Sequence, residues 1–161
     1  TEIYTLSLHD ALPIFPEARR AALFIRDHGR PDDLVAVLGA EPQIYFYSER
    51  RAAVGYMYHY PLIENHEFAR RMEQDLIAQV EAARPEYVVF VNFPDLWPRP
   101  RMDEMLKWME DYLAAGYERV GVIDSPCRDE ARSEATYIWG DAAREYVPAS
   151  TCWLTVYRKK I

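Results

Sequence analysis

One stretch decides the fold: residues 34–51 read Leu-Val-Ala-Val-Leu-Gly-Ala-Glu-Pro-Gln-Ile-Tyr-Phe-Tyr-Ser-Glu-Arg-Arg. Its first five residues form an apolar run too short for a helix, which is typical of a strand buried on both faces of a parallel sheet. Gly39 and Ala40 then form a tight turn, and Pro42 suits the first position of a helix. The stretch therefore predicts a strand, a turn and a short helix over 44–47, where β-propensity alone would also allow a strand.

Further along the chain, an apolar run at 87–91 predicts a second central strand, and residues 119–123, after the third helix, predict another strand. Amphipathic spacing predicts helices over 16–28, over 66–83 with Asn65 as its cap, and over 102–115. Alternating strands and helices of these lengths are typical of parallel crossover units with helices on both faces of a sheet. We therefore predict an α/β fold, a three-layer sandwich with a Rossmann-like, mostly parallel sheet.

The end of the chain has a different pattern. Residues 137–139 and 153–157 predict two late strands, antiparallel at an edge of the sheet. The closing triplet Arg158-Lys159-Lys160 is interpreted as a solvated end that discourages edge pairing, with contact to anionic head groups as the secondary interpretation.

Residues 53–60 read Ala-Val-Gly-Tyr-Met-Tyr-His-Tyr, with tyrosines at period two, and predict another strand. Two interpretations of the tyrosine row stay open. It lines a sugar or peptide site, or it forms a half-buried strand face with hydroxyls at the rim. His59 has no histidine or cysteine nearby at ligand spacing, which favours a structural or exposed role over a metal site.

Composition limits the possible classes of protein. The chain has 161 residues, of which 50% are hydrophobic, and this is enough for a single domain over 15–161. A net charge of -7 argues against a nucleic-acid partner. Neither an apolar run of membrane-spanning length nor a signal-peptide pattern occurs, so the sequence predicts a soluble chain.

Residues 1–14 read Thr-Glu-Ile-Tyr-Thr-Leu-Ser-Leu-His-Asp-Ala-Leu-Pro-Ile and resemble a translated sequencing adapter. We interpret them as an artefactual N-terminal segment and leave them out of the fold prediction. This resemblance implies that the natural coding sequence extends upstream of Phe15, so that the natural protein is longer.

Several kinds of chemistry have no support in the sequence. The turn after the first strand has one glycine where a dinucleotide fingerprint needs three, and no phosphate-binding loop or Gly-x-Ser-x-Gly elbow occurs. Cys127 and Cys152 fit no metal-ligand spacing. No catalytic residue, metal ligand or cofactor is therefore predicted.

A ligand-binding crevice is predicted where the first two buried strands end, because ligands of open α/β sheets bind outside the carboxyl ends of strands. The candidate ligand-binding residues are Glu41, Gln43, Arg51, Asn92 and Trp97, and Arg50 forms a pair with Arg51 at the same crevice. In this prediction the Trp97 indole lies beside Asn92, Glu41 and Arg51 and offers a stacking face to a sugar or polar acceptor. The alternative is an acidic helix cap, a solvated arginine pair, and a tryptophan that only covers its loop.

The order of three strings resembles a known family. Phe-Pro-Glu-Ala-Arg-Arg begins at Phe15, Gly-Ala-Glu-Pro-Gln-Ile-Tyr-Phe-Tyr-Ser-Glu-Arg-Arg begins at Gly39, and Ala-Arg-Pro-Glu-Tyr-Val-Val-Phe-Val-Asn begins at Ala83. Together with Tyr-Ile-Trp-Gly-Asp-Ala-Ala at Tyr137, they resemble the soluble C-terminal domain of bacterial multi-spanning membrane glycosyltransferases, relatives of the protein mannosyltransferases and lipid A aminoarabinose transferases.

The resemblance implies an enzyme that takes a sugar from a polyprenyl-phosphate donor at the extracytoplasmic, periplasmic face of a membrane. Its acidic catalytic residues lie between N-terminal membrane helices, so this chain alone is expected to be inactive. Its partners would be the transmembrane part of the same parent chain and the polyprenyl-phosphate sugar or the acceptor. The alternative function is a free-standing Rossmann-like enzyme or small-ligand-binding domain.

The two cysteines bear on the compartment, because extracytoplasmic domains form disulfides and cytosolic ones rarely do. Cys127 and Cys152 can bridge only if their Cα atoms lie within about 7 Å of each other. The sequence leaves this pairing open.

Overall fold

Six strands form one sheet in this computed structural model, which describes residues 16–127 and 134–161. The strands are β1 (Leu34–Leu38), β2 (Arg51–Ala52), β3 (Tyr87–Asn92), β4 (Tyr117–Ser125), β5 (Thr136–Trp139) and β6 (Cys152–Lys159). The helices are α1 (Pro16–His28), α2 (Gln43–Ser48), α3 (Tyr60–Ile63), α4 (Ala69–Ala83), α5 (Asp103–Gly116) and α6 (Asp141–Glu145), with a 3-10 turn at Pro94–Leu96. The adapter-like segment 1–14 lies outside the described residues.

The strand order is β2-β1-β3-β6-β4-β5. β1 pairs in parallel with β2 and β3, whereas β6 is antiparallel to both of its neighbours, β3 and β4. β5 is antiparallel to β4 at the edge. Four of the six strands therefore run in one direction, which confirms the predicted α/β fold with a mostly parallel core and antiparallel late strands.

The helices cover both faces of the sheet. α1 packs on α2. Gly29, which follows α1, lies close to the sheet, because a Cβ added at Gly29 would be 3.0 Å from the Tyr87 ring of β3. α4 and α5 pack on each other through hydrogen bonds from Trp108 to Glu81 and from Tyr112 to the Val80 carbonyl. Right-handed crossovers through α2 and α4 lead to opposite sides of β1, and therefore place these helices on opposite faces.

Tyr45 explains why β1 tolerates a very short neighbour. β2 pairs only with Leu34 and Val35, so the rest of β1 has no strand on that side. The Val37 N–H donates a 2.9 Å hydrogen bond to the Tyr45 hydroxyl, and burial raises the pKa of that hydroxyl to about 12. A side chain from α2 thus satisfies a buried backbone donor that would otherwise be costly to leave unpaired. The short helix predicted at 44–47 is confirmed.

The position of β6 differs from the prediction. β5 lies at the edge as expected, but β6 lies between β3 and β4, pairing with six residues of one and eight of the other. The basic triplet therefore does not protect an edge. Arg158 and Lys159 lie 3.4 and 3.5 Å from Glu86 carboxylate oxygens, and Lys160 donates to the Ala114 carbonyl.

The strand predicted over 53–60 is wrong. β2 ends at Ala52, and the following segment turns away from the sheet towards α4. The Gly55 N–H donates to the Gln79 side chain, and the Tyr56 hydroxyl donates to Asp75. Because these polar groups bond to helix side chains and Pro61 lies in the first turn of α3, the period-two tyrosines never enter a strand ladder.

Of the three predicted long helices, one has the predicted boundaries, one is displaced by a residue and one begins later. α1 covers the predicted range, and α5 is displaced by one residue from 102–115. α4 begins at Ala69 instead of His66, and Phe68, not Asn65, precedes it. The His66 ring accepts the Phe68 N–H at 3.2 Å in the turn before the helix. Among the described residues, no helix combines the length and the apolar character that crossing a bilayer requires.

We predict that Gly39→Ala destabilises the fold by about 2–4 kcal/mol. Gly39 has a φ of 147°, and an added Cβ would lie 2.5 Å from the Val91 Cβ on β3, where little movement is possible. Urea denaturation measures the free energy of unfolding. Gly116→Ala is the matched control, because nothing lies within 4 Å of its Cβ position in α5. Equal stabilities of the two variants would contradict the prediction.

Candidate functional site

A cavity of about 690 Å³ lies at the carboxyl ends of β1, β3 and β4. Because β6 is antiparallel to these strands, its first residue reaches the same edge. The apolar part of the wall comes from α1, β6 and the segments after β1 and β3, and includes Ala18, Ala40, Phe93, Leu96 and Leu154. The volume falls in the range of small-molecule sites, and the location is the one that open α/β sheets favour.

Glu41 is the most buried ionisable group of this wall, with an exposed fraction of 6%. Burial raises the pKa of Glu41 from 4.5 to about 7, the charge of Glu17 adds to the rise, and a hydrogen bond from Gln43 opposes it. Near neutral pH the carboxyl group therefore exists in both protonation states and can donate or accept a hydrogen bond. Of the predicted site residues, the structure brings Glu41 and Gln43 together.

Glu17 and Ser125 add two further polar groups to the wall. The Ser125 hydroxyl, at the end of β4, donates a 3.1 Å hydrogen bond to the Glu17 carboxylate of α1. Asp95 supplies a third carboxylate. Arginine, lysine and histidine are absent from the described part of the lining. Sequence reasoning missed Glu17 and Ser125, because the contact between α1 and β4 joins residues 108 positions apart.

A disulfide bond joins Cys127 and Cys152 in the cavity wall, with a Cα–Cα distance of 5.5 Å. Cys127 is half-buried and Cys152 is 5% exposed. The Cys127 sulfur lies 3.1 Å from the Thr151 hydroxyl, which also lines the cavity. The pairing that the sequence left open is therefore present, and it ties the end of β4 to the start of β6.

Asp124 anchors the chain that leads into β6. Its side chain is fully buried and accepts hydrogen bonds from the Tyr146 hydroxyl and from the N–H groups of Ala149 and Ser150, at 2.7–3.2 Å. The Ser150 hydroxyl lies 2.6 Å from the carbonyl oxygens of Ser125 and of Cys152. A carboxylate inside an apolar strand is the sequence signal that would have drawn attention to this position.

The side chains of Asn92 and Trp97 bond to the backbone near the end of β3 and do not line the cavity. The Asn92 amide donates to the Thr151 carbonyl at 2.9 Å. The Trp97 indole is 6% exposed, donates to the Val91 carbonyl at 2.8 Å and packs on Phe90 with ring centroids 5.2 Å apart. Neither side chain is part of the described lining.

Arg51 lies at the other end of the sheet. Its partner in the ladder is Leu34, the first residue of β1, whereas the cavity lies beyond the last. The expected placement of the Trp97 indole beside Arg51 is therefore not found. Arg50 donates to the carbonyl oxygens of Arg26 and Gly29 at 3.0 Å and so binds the end of α1 to the end of α2.

His59 has an unusual environment beside Trp97. The ring is 1% exposed, and neither nitrogen has a hydrogen-bond partner among the described residues. Burial lowers its pKa from 6.5 to about 4, so the ring is neutral at physiological pH. His59 begins the segment that carries Tyr60 to the cavity. This placement agrees with the structural role favoured from the sequence.

The described residues offer no group of three or more histidine, cysteine, aspartate or glutamate side chains placed to hold a metal ion. Comparison with known proteins adds no assignment, since no family model, no curated protein and no solved structure matches this chain.

We predict that Glu41 makes the protein less stable as pH rises. Its folded pKa is above its unfolded value, so its contribution is complete below pH 4.5 and is lost as pH rises through about 7. A difference of this size corresponds to about 3 kcal/mol. Glu41→Gln should remove this dependence in urea denaturation between pH 4.5 and 8, whereas Glu110→Gln, at an exposed position of α5, should keep it. Parallel profiles for the wild type and Glu41→Gln would refute the prediction.

His59 should make the protein less stable as pH falls, which is opposite to the effect of Glu41. Its folded pKa is below its unfolded value, so its contribution is present above pH 6.5 and is lost as pH falls towards 4. We expect His59→Phe, which keeps an aromatic ring and removes two unpartnered nitrogens, to lose this dependence and to match or exceed wild-type stability at pH 5. Urea denaturation at pH 5 and 7.5 tests this. Because Glu41 contributes equally to both proteins, the stability of His59→Phe relative to wild type should be greater at pH 5 than at pH 7.5, and an equal difference at the two pH values would contradict the prediction.

Proposed function

We propose that this chain is the extracytoplasmic soluble domain of a polyprenyl-phosphate-sugar-dependent membrane glycosyltransferase, and that it caps the membrane part and helps to bind the acceptor. The order of sequence strings that begin at Phe15, Gly39, Ala83 and Tyr137 motivates the family assignment. The fragment itself is non-catalytic under this proposal, and the transfer chemistry belongs to the membrane part of the parent protein.

The observation that best supports this proposal is the cavity with a disulfide in its wall. Disulfides persist in oxidising compartments such as the periplasm and are rare in the cytosol. The bond between Cys127 and Cys152 therefore supports the extracytoplasmic location. The wall combines apolar surface with a few convergent polar groups, the usual composition of a small-molecule site.

The position of α1 supports the capping role. Glu17 and Ala18, at the start of this helix, line the cavity. A membrane part that precedes α1 in the parent chain would join this domain on the side of the cavity. The cavity would then face the membrane part, where an acceptor must meet the donor sugar.

Genomic sequence upstream of the codon for Phe15 tests the family assignment. We expect several apolar segments of about 20 residues, the length that spans a bilayer. In the full-length enzyme, Glu41→Gln and Ser125→Ala should raise the KM for acceptor more than they lower kcat, because they alter binding and not the reacting groups. Glu110→Gln is the control on the opposite layer. A start codon near Phe15 without apolar segments would refute the proposal.

The second candidate is a free-standing α/β domain that binds a small ligand in the same cavity. One observation favours it, since residues of this chain alone supply a concave wall of ligand-binding size. The two candidates differ in what the isolated domain does. A free-standing binder should take up its ligand with full affinity, whereas a capping domain should need the membrane part to complete the acceptor site.

A further inference from the structure

We propose that the Cys127–Cys152 disulfide is a thiol-exchange site of the folded protein, at which a small uncharged or cationic thiol enters the cavity and forms a mixed disulfide with Cys127. The inference concerns covalent modification of the cavity wall and does not depend on the glycosyltransferase proposal.

The geometry gives a thiol access to the bond. Both half-cystines line a cavity of about 690 Å³, which is larger than a reagent of a few heavy atoms needs. Cys127 is half-buried whereas Cys152 is 5% exposed, so Cys127 is the more accessible residue of the pair. Access to a sulfur is one of the factors that set the rate of exchange.

Other interactions besides the disulfide hold β4 and β6 together at this position. β4 and β6 already pair over eight residues, from Tyr117 with Lys159 to Ser125 with Cys152. The buried Asp124 carboxylate and the Ser150 hydroxyl hold the connection into β6 by further hydrogen bonds. Opening the disulfide therefore frees Cys127 from the wall while the strands stay paired.

The reaction balances with groups of the cavity. The incoming thiol loses its proton to solvent and its thiolate attacks the Cys127 sulfur; the bond between the two sulfurs breaks, and its electron pair leaves with Cys152 as a thiolate. Because Cys152 is buried among apolar residues, its thiolate favours protonation. Glu41 lines the same cavity and is partly protonated at neutral pH, so its carboxyl group can supply that proton.

The charge of the wall selects the thiol. Glu17, Glu41 and Asp95 contribute carboxyl groups, and the described lining holds no basic residue. The guanidinium groups of Arg19 and Arg20, which follow Glu17 on α1, lie over tyrosine rings. Arg19 lies 5.9 Å from the centroid of Tyr47, and Arg20 lies 5.8 Å from the centroid of Tyr137. Carboxylates that line the same cavity as the disulfide repel an anionic thiol, so such a thiol is disfavoured.

Three thiols of similar size test the proposal, and they differ in the charge of their second group: the ammonium of cysteamine, the neutral hydroxyl of 2-mercaptoethanol and the anionic sulfonate of 2-mercaptoethanesulfonate. Each thiol reacts with the whole chain at pH 7.5. The rate measured for each thiol is divided by the rate of the same thiol with a short unstructured disulfide peptide, which corrects for the intrinsic reactivity of the thiol. We expect the normalised rates to fall in that order, with a cation-to-anion ratio on the order of tenfold or more at low salt. Acid quenching, alkylation and peptide mass mapping should place the added thiol on Cys127 and the alkyl group on Cys152.

The Glu17→Gln/Glu41→Gln variant should lower the cation-to-anion ratio, and Glu110→Gln, outside the cavity, should leave it unchanged. The rate should rise in proportion to thiol concentration. A rate that is independent of thiol concentration would mean that only the unfolded chain reacts, and it would overturn the proposal. Equal normalised rates for the three thiols, or a mixed disulfide on Cys152, would overturn it as well. The search for apolar segments encoded upstream of Phe15 tests the glycosyltransferase proposal and not the thiol-exchange proposal, so the two proposals can fail separately.

Discussion

The sheet of this protein depends on the insertion of β6 between β3 and β4. β1, β2 and β3 form one parallel group, and β4 and β5 form an antiparallel pair. Of the strands in the described residues, only β6 hydrogen-bonds to both groups, through six residue pairs with β3 and eight with β4. Its inward residues Leu154 and Val156 are at most 1% exposed. A continuous core therefore forms only when the last strand of the chain is in place, and such long-range pairing has a high loop-closure cost.

The cavity is a product of the same insertion. Since β6 runs against its neighbours, its first residue Cys152 lies beside Ser125, the last residue of β4, and its second residue lies beside Asn92. Asp124 and Ser150 fix the turn that brings β6 to this edge. The disulfide, the Ser125 hydroxyl and the carboxyl group of Glu17 then converge in one wall although they come from distant parts of the sequence. A topology with β6 at an edge would have left β3 and β4 adjacent and the cavity without this wall.

Predictions from the sequence are correct where neighbouring residues determine the structure, and they fail where contacts between distant parts of the chain determine it. The strand Leu34–Leu38, the turn at Gly39 and the helix Gln43–Ser48 are determined by neighbouring residues, and they were predicted correctly. The row of tyrosines over 53–60 has a strand-like period, but its hydrogen bonds go to Asp75 and Gln79 on α4, which no local pattern reveals. At the site, Glu41 and Gln43 lie together as nearby residues of one turn. Arg51 does not join them, because the parallel register with β1 carries it to the far end of the sheet.

The direction of β6 also gives the domain two different ends. Lys159 pairs with Tyr117 at the start of β4, whereas Cys152 pairs with Ser125 beside the cavity, about 25 Å away along the strand. The chain thus enters α1 next to the cavity and leaves β6 on the opposite side. A surface, a bead or a fluorescent protein attached after Ile161 would hold the domain with its cavity turned outward. The same attachment before Pro16 would place the added bulk at the cavity mouth, so the two attachment points give opposite orientations of one domain.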